Sequence, residues 1–289
     1  MSIHRLERLF PNEITERIAR TPILVIPLGT IEWHSHHLPL GLDGLVAAAV
    51  SEKIAERADA VLAPVSYWAV GGIPFPYTLN LSASIVEPVL EAVFEQYAAM
   101  GFRVIVAFTG HFGLEQTISV KRAALAVMRK SDVAILAVAE YDFTTDIGYT
   151  GDHAGVGETS LLWAADSTLV RLESVPSTSP LEGVIGEDPR GKASRDWGNK
   201  LMDTISSCAA EVALRFLHQD EKTRKAFMEA LDAGVLALEL IAEQRRLFGR
   251  ENVPPIATPS YRSHLEAIYQ GDYAAAKIFA AQKLSDLSS

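Results

Sequence analysis

Ile23-Leu24-Val25-Ile26-Pro27-Leu28 runs directly into Gly29-Thr30-Ile31-Glu32-Trp33-His34-Ser35-His36-His37-Leu38-Pro39-Leu40-Gly41-Leu42-Asp43. The first six residues are continuously apolar, the pattern of a strand buried on both faces of a sheet. The segment after them carries a Glu, three His and an Asp. A surface loop has no structural need for so many metal-ligand side chains. Glu32 and His34 are two residues apart, so in an extended segment they point to one side. Asp43 opens an Ala-rich helical stretch, where a carboxylate can cap the helix or bind an ion.

The pattern repeats outward from this stretch. Gly44 to Arg57 reads as helix and Ala60 to Val65 as a second strand. A Gly/Pro/aromatic loop, Ser66 to Ser84, precedes a helix from Pro88 to Met100 that stops at Gly101. Phe102 to Phe108 is a third strand, Leu114 to Arg129 a helix, and Val133 to Ala139 a fourth strand. This β-then-α order predicts an α/β fold, a mostly parallel sheet sandwiched between helices. Beyond it come a polar loop from Asp142 to Gly157, a helix from Glu158, a Ser/Pro/Gly-rich loop from Ser174 to Asp196, and a helix from Lys200 to Leu217. The character changes at Asp220. Glu221 to Phe248 and Tyr261 to Leu287 read as an appended C-terminal helical hairpin joined by a Pro-rich linker, Val253 to Pro259, with Gly271 a candidate break in the second helix. The expected organisation is therefore a catalytic domain over 1–219 and a helical extension over 220–289, the extension serving packing or assembly.

Composition removes several function classes. A chain of 289 residues, 48% hydrophobic, can bury a full core. A net charge of −10 disfavours sequence-independent nucleic-acid binding, which needs a basic footprint. The one cysteine, Cys208, permits neither a disulfide framework nor a thiolate zinc site and reads as a small core residue. No apolar run approaches the roughly 20 residues of a membrane span, and the N-terminus lacks a signal-peptide core, so a cytoplasmic protein is expected.

The titratable residues follow the strands. Glu32, His34, His36, His37 and Asp43 come after the first, Thr109-Gly110-His111-Phe112-Gly113 after the third, and Asp152-His153-Ala154-Gly155-Val156-Gly157-Glu158 after the fourth. In a parallel sheet the carboxyl ends of the strands share one edge, where ligand sites lie. Three distant segments therefore converge. A His/Asp/Glu set without Cys suits zinc, manganese or ferrous iron, as one ion or two. Of His36 and His37 only one can face the ions, because neighbours in an extended chain point apart. Trp33, Trp68 and Trp163 read as packing residues, and His4, His218 and His264 as surface residues.

These motifs resemble those of the creatininase (creatinine amidohydrolase) family. Gly29 to Leu40 with Asp43 is similar to its G-S/T-x-E-Q-H-G-x-H-L-P-L signature. Thr109 to Gly113 resembles N-G-H-G-G, His153 to Ser160 resembles H-A-G-x-x-E-T-S, and Phe75 to Leu81 resembles F-P-G-T-x-x-L. The resemblance spans about residues 15 to 217 and implies a dinuclear centre of divalent ions, zinc foremost with manganese or iron as alternatives. It implies hydrolysis of a non-peptide, often cyclic, amide of a small molecule, and homo-oligomers, commonly hexamers. Carried over by motif, Glu32, His34, Asp43 and His111 would be ligands, with Asp43 bridging. Glu158 would be the fifth ligand or share in catalysis, and His153 would handle the leaving-group proton. His37, Tyr77 and Tyr149 would line the substrate. Departures fall at Trp33 for the signature Gln, at Thr109 for Asn, and at Gly113, where creatininase itself carries a Glu ligand.

Two other classes compete with a hydrolase. A catalytically silent binding or regulatory protein on the same fold would retain metal without turnover. A flavin- or nucleotide-binding protein would need a G-x-G-x-x-G turn after the first strand, and none is present.

Overall fold

A computed structural model describes residues 3–175, 181–249, 253 and 256–288. Its sheet has five parallel strands in the order β1-β3-β2-β4-β5: β1 His4–Arg5, β2 Ile23–Leu28, β3 Val61–Leu62, β4 Val104–Thr109 and β5 Ala134–Ala139. Every residue of β2, β4 and β5 is buried, as their unbroken apolar runs require. The second strand is shorter than its sequence suggests. Pro27 and Pro64 have no N–H to give, so pairing beyond Leu62 is reduced to single links such as Ala63 N–H to Val25 O (2.8 Å) and a bridge at Leu28 and Ser66. Strand β1, two charged residues against β3, has no periodicity by which sequence could reveal it.

Six helices flank the sheet: α1 Pro11–Arg20, α2 Leu42–Ala58, α3 Ala83–Ala99, α4 Leu114–Met128, α5 Val156–Ala165 and α6 Arg195–Leu217. Helices α2, α5 and α6 pack together, and α3 and α4 form a second group. The strand order explains the division. The chain leaves β2 for β3 in one direction across the sheet and leaves β4 for β5 in the other. Right-handed crossovers then place α2 and α4 on opposite faces. The carboxyl ends of β2 and β4, side by side, are thus the switch point where a parallel sheet opens a crevice. Helix α3 begins five residues before Pro88, which lies inside it.

Two glycines let the crevice be filled by backbone. A Cβ on Gly29 would fall 2.3 Å from Gly44 Cα, and one on Gly110 would fall 2.2 Å from the carbonyl oxygen of Asp43. Only with hydrogen at both positions can the first turn of α2 descend between the ends of β2 and β4.

Among the described residues the C-terminal segment has three helices: α7 Glu221–Phe248, α8 Pro259–Gln270 and α9 Tyr273–Ser288. Gly271, at φ 93°, breaks the second arm of the expected hairpin in two. Helix α7 packs on α4, and α8 packs on the turn after β5. Arg224 donates to the carbonyl of Met128, the last residue of α4 (2.8 Å), and to that of Ser131 just beyond the helix (3.0 Å). Phe227, Leu238 and Tyr261 join one apolar core with β2, β4 and β5. His264, read from sequence as a surface residue, is buried here, with Nδ1 against the carbonyl of Ala276 (2.9 Å). Trp68, read as a packing residue, is 64% exposed. Prolines 254 and 255 of the expected linker, and residues 176–180 of the expected loop, lie outside the described residues. Among the described residues no helix is long and apolar enough to cross a membrane.

Helices α5 and α6 meet at Gly198, where a Cβ would fall 1.8 Å from the carbonyl oxygen of Ser160. Gly198→Ala is expected to destabilise the fold by about 1–3 kcal/mol, lowering the melting temperature in a circular-dichroism scan by several degrees.

Candidate metal centre

The switch-point crevice gathers the expected ligands. Glu32 and His34 come from the extended segment after β2, Asp43 from the first turn of α2, His111 from the turn after β4, and Glu158 and His153 from the start of α5 and the residues before it. Glu32, His34, Asp43, His111 and Glu158 are buried. Asp43 divides the group. Its Oδ1 lies 2.9 Å from His34 Nε2, which is 3.7 Å from Glu158 Oε2. Its Oδ2 lies 3.2 Å from His111 Nδ1, which is 3.0 Å from Glu32 Oε2. Two three-residue clusters therefore share one carboxylate: Glu32–Asp43–His111 and His34–Asp43–Glu158. A third, Glu32–His34–His153, adjoins them. Asp43 caps nothing, since α2 starts at Gly41 without a side-chain bond.

The outer nitrogen of each imidazole rests on a main-chain carbonyl. His34 Nδ1 is 3.0 Å from Glu32 O, His111 Nε2 is 3.1 Å from Val70 O, and His153 Nε2 is 2.9 Å from Trp33 O. A carbonyl can only accept, so each outer nitrogen carries hydrogen and each inner nitrogen can offer a lone pair. The inward atoms Glu32 Oε2, His34 Nε2 and both oxygens of Asp43 are buried and have no hydrogen-bond partner outside the cluster. Buried polar atoms are rarely left so. Oxygen and imidazole donors in clusters of this kind, without thiolate, fit borderline divalent ions such as zinc and manganese.

Charge supports the same reading. Burial opposes the ionised forms of Glu32 and Asp43, but their histidine neighbours outweigh it and hold both below the ordinary carboxylate range. Burial likewise disfavours an imidazolium at His111, yet Asp43 and Glu32 raise it to about 10. In the chain alone, protons supply the positive charge that the cluster demands. His153 and His37 go the other way: burial, then His34, lowers each to about 4, so both are neutral at physiological pH.

The surrounding residues divide into several roles. His37 is buried, with Nε2 3.0 Å from Thr159 Oγ1. His36 is exposed, so only one of the adjacent pair faces inward. Trp33 stacks on Phe75 with ring centres 3.6 Å apart and packs against Gly183, as a wall residue. Tyr77 is exposed, at φ 78°, on the loop whose Ile73 N–H donates to Glu32 Oε1 (2.5 Å). Tyr149, expected against a substrate, is interior instead. Its hydroxyl donates to Glu140 Oε2 (3.2 Å), and its ring lies against Gly157, where a Cβ would fall 2.0 Å away.

Two carboxyl groups have no role in the sequence reading. Asp152 accepts from Gly157 N–H (2.6 Å) and Glu158 N–H (3.1 Å), capping α5 just before the histidine that drew attention. Its place ahead of a helix start was the available signal. Glu140 is fully buried at the carboxyl end of β5, where burial, then Asp43 and Asp152, pushes its carboxyl well above the ordinary range. The strand-end rule that selected the other ligands applied to it equally.

Comparison with known proteins places these features in a family. The model of the family described as "Creatininase: Creatinine amidohydrolase" matches residues 7–213. Creatinine amidohydrolase of Pseudomonas putida is 27% identical over 194 residues, covering 58% of this chain and 75% of that protein. The mycofactocin precursor peptide peptidase of Mycolicibacterium smegmatis is 34% identical over 116 residues, covering 37% of this chain and 45% of that one. A crystal structure of creatinine amidohydrolase superposes with a TM-score of 0.66 at 24% identity, covering 76% of this chain and all of that one. The family match ends before α7 begins.

If the orphaned atoms are ligands, adding Zn2+ or Mn2+ raises the melting temperature of metal-stripped protein. At a free concentration about 100 times Kd the gain is about 2.7 kcal/mol, or several degrees. Asp43→Ala removes the residue common to two clusters and is expected to abolish the shift in the same scan.

Proposed function

We propose a hydrolytic function from one premise: the chain belongs to the creatininase family. The reaction is hydrolysis of a non-peptide amide C–N bond in a small molecule, cyclic amides included. Two divalent ions would be held, one by Glu32, Asp43 and His111 and one by His34, Asp43 and Glu158, the two candidate groups that have Asp43 in common. Zinc is the foremost candidate, with manganese or iron as alternatives. When bound, such ions supply Lewis acidity and make water a nucleophile at neutral pH. One observation carries the reading: the backbone carbonyls hold three imidazoles by their outer nitrogens, turning the inner nitrogens toward Glu32 Oε2 and the Asp43 oxygens, which have no hydrogen-bond partner outside the cluster.

His153 has the proton-handling role. Its Nε2–H is fixed on Trp33 O, its Nδ1 is 4.0 Å from Glu32 Oε1, and its ring stacks on His34 at 4.4 Å. A neutral imidazole so placed can take a proton from the attacking water at Nδ1 and return it to the departing nitrogen. Its side chain, 13% exposed, is more open than those of Glu32, His34, Asp43, His111 and Glu158. His37, tied to Thr159, and Tyr77, on the exposed loop, are the substrate contacts. Interior Tyr149 supports the site from behind. Trp33 and Phe75 make an aromatic wall where the family signature has Gln, which supports a substrate other than creatinine. The protein is expected to work in the cytoplasm as a homo-oligomer, a hexamer by family likeness, which light scattering after size exclusion would test.

Elemental analysis should give about two divalent ions per chain. Against a panel of linear and cyclic amides, the wild-type protein should release amine or acid, and Asp43→Ala should not. His153→Gln should keep its ions and lose about 10²–10⁴-fold in turnover. Full ion content without turnover of any amide would favour the silent binding protein instead.

A further inference from the structure

A buried polar cluster joins α8 to the α/β body. Lys121 of α4 donates to Ala137 O (3.0 Å), Asp142 Oδ2 (2.9 Å) and the Tyr269 hydroxyl (3.3 Å). Tyr269, near the end of α8, donates that hydroxyl to Asp142 Oδ2 (2.8 Å). The same oxygen accepts from Ala139 N–H at the last residue of β5 (3.3 Å). All three side chains are at least nine-tenths buried. The ammonium has three N–H groups and three acceptors here, one of which is the tyrosine. A buried cation and its carboxylate tolerate the loss of such a partner poorly.

Asp142 sits in the turn Glu140–Phe143, directly after β5. The ring of Phe143 meets that of Tyr269 with centres 4.6 Å apart. Two residues before Asp142, Glu140 turns inward and accepts from the Tyr149 hydroxyl. The Tyr149 ring lies on Gly157, and the next residue is Glu158. The loop from 140 to 149 is closed by Thr144, whose hydroxyl donates to Tyr149 O (3.0 Å) and whose carbonyl accepts from Tyr149 N–H (3.1 Å). A continuous set of contacts therefore runs from α8 through Asp142, the 140–149 loop and Tyr149 to the turn that bears Glu158.

We propose that Tyr269 is a positioning residue for the metal centre, through which the C-terminal segment, lying beyond the family match, completes the site. Its hydroxyl fixes Asp142. Asp142 fixes the turn after β5, and the turn sets Glu140 and Tyr149 beneath the first turn of α5. The segment thus acts on the His34–Asp43–Glu158 side of the centre. This inference rests on the metal-binding reading of that cluster.

The test is Mn2+ titration of the metal-stripped full-length protein, followed by the electron paramagnetic resonance signal of free ion. Tyr269→Phe keeps the ring and deletes the hydroxyl. It is expected to weaken Mn2+ binding at one of two positions by at least about tenfold, the lower end of losses for residues that orient ligands. Arg224→Gln cuts a different anchor of the same segment, at the end of α4, and should lower thermal stability while leaving Mn2+ binding unchanged. If Tyr269→Phe does not fold, Asp142→Asn, which keeps side-chain shape and one acceptor, carries the same expectation. Wild-type binding in Tyr269→Phe, or an equal loss in Arg224→Gln, would overturn the proposal. Absence of Mn2+ binding in the wild-type protein would instead fail the metal reading itself, and is distinguished because the loss precedes any substitution.

Discussion

Buried negative charge is the constraint around which this molecule is organised. Glu32, Asp43, Glu140 and Glu158 are almost wholly buried, with Asp152 beside them. Carboxylates so confined must be protonated, hydrogen-bonded or paired with a basic group. Each solution appears. Glu140 is driven toward its neutral acid, Asp152 is spread over two helix amides, and Glu32 and Asp43 face imidazoles. Much of the fold follows from bringing these groups together. The switch point supplies the crevice, two glycines admit the first turn of α2, and the last strand delivers a turn that closes the far side.

The sequence carried the sheet and most of the centre because both are written in local pattern. Unbroken apolar runs such as Val104 to Phe108 can only be buried strands, and ligand-type side chains just beyond such runs share an edge by topology. Features written in tertiary contact were not legible. The two-residue strand at His4 has no periodicity. Prolines 27 and 64 shorten a strand by what they lack. Tyr149 lies near a motif and was therefore assigned to the substrate, although its ring is needed under α5. Lys121 looks like any helix lysine until Asp142 and Tyr269, distant in sequence, are placed around it. The break at Gly271 was visible, because glycine near the middle of a long helical pattern is a usual stop.

The C-terminal helices show how an added segment becomes part of a body. Arg224 finishes the end of α4, the α7 face continues the apolar core, and α8 contributes a hydroxyl to a polar cluster inside it. The family match ends at residue 213, ahead of these helices. In packing the chain has no seam there, since Phe227 and Tyr261 belong to the same core as Ile23 and Val104.

The three imidazoles are steadied by peptide carbonyls of residues 32, 33 and 70, with no side chain involved. The support for the centre is therefore independent of which side chain stands at position 33 or 70. Trp33 can replace the signature Gln, and stack on Phe75, while its carbonyl still holds His153. Main-chain scaffolding separates the machinery from the walls of the cavity. A lineage built this way can exchange one substrate for another by changing walls, without having to rediscover the geometry of its metal ligands.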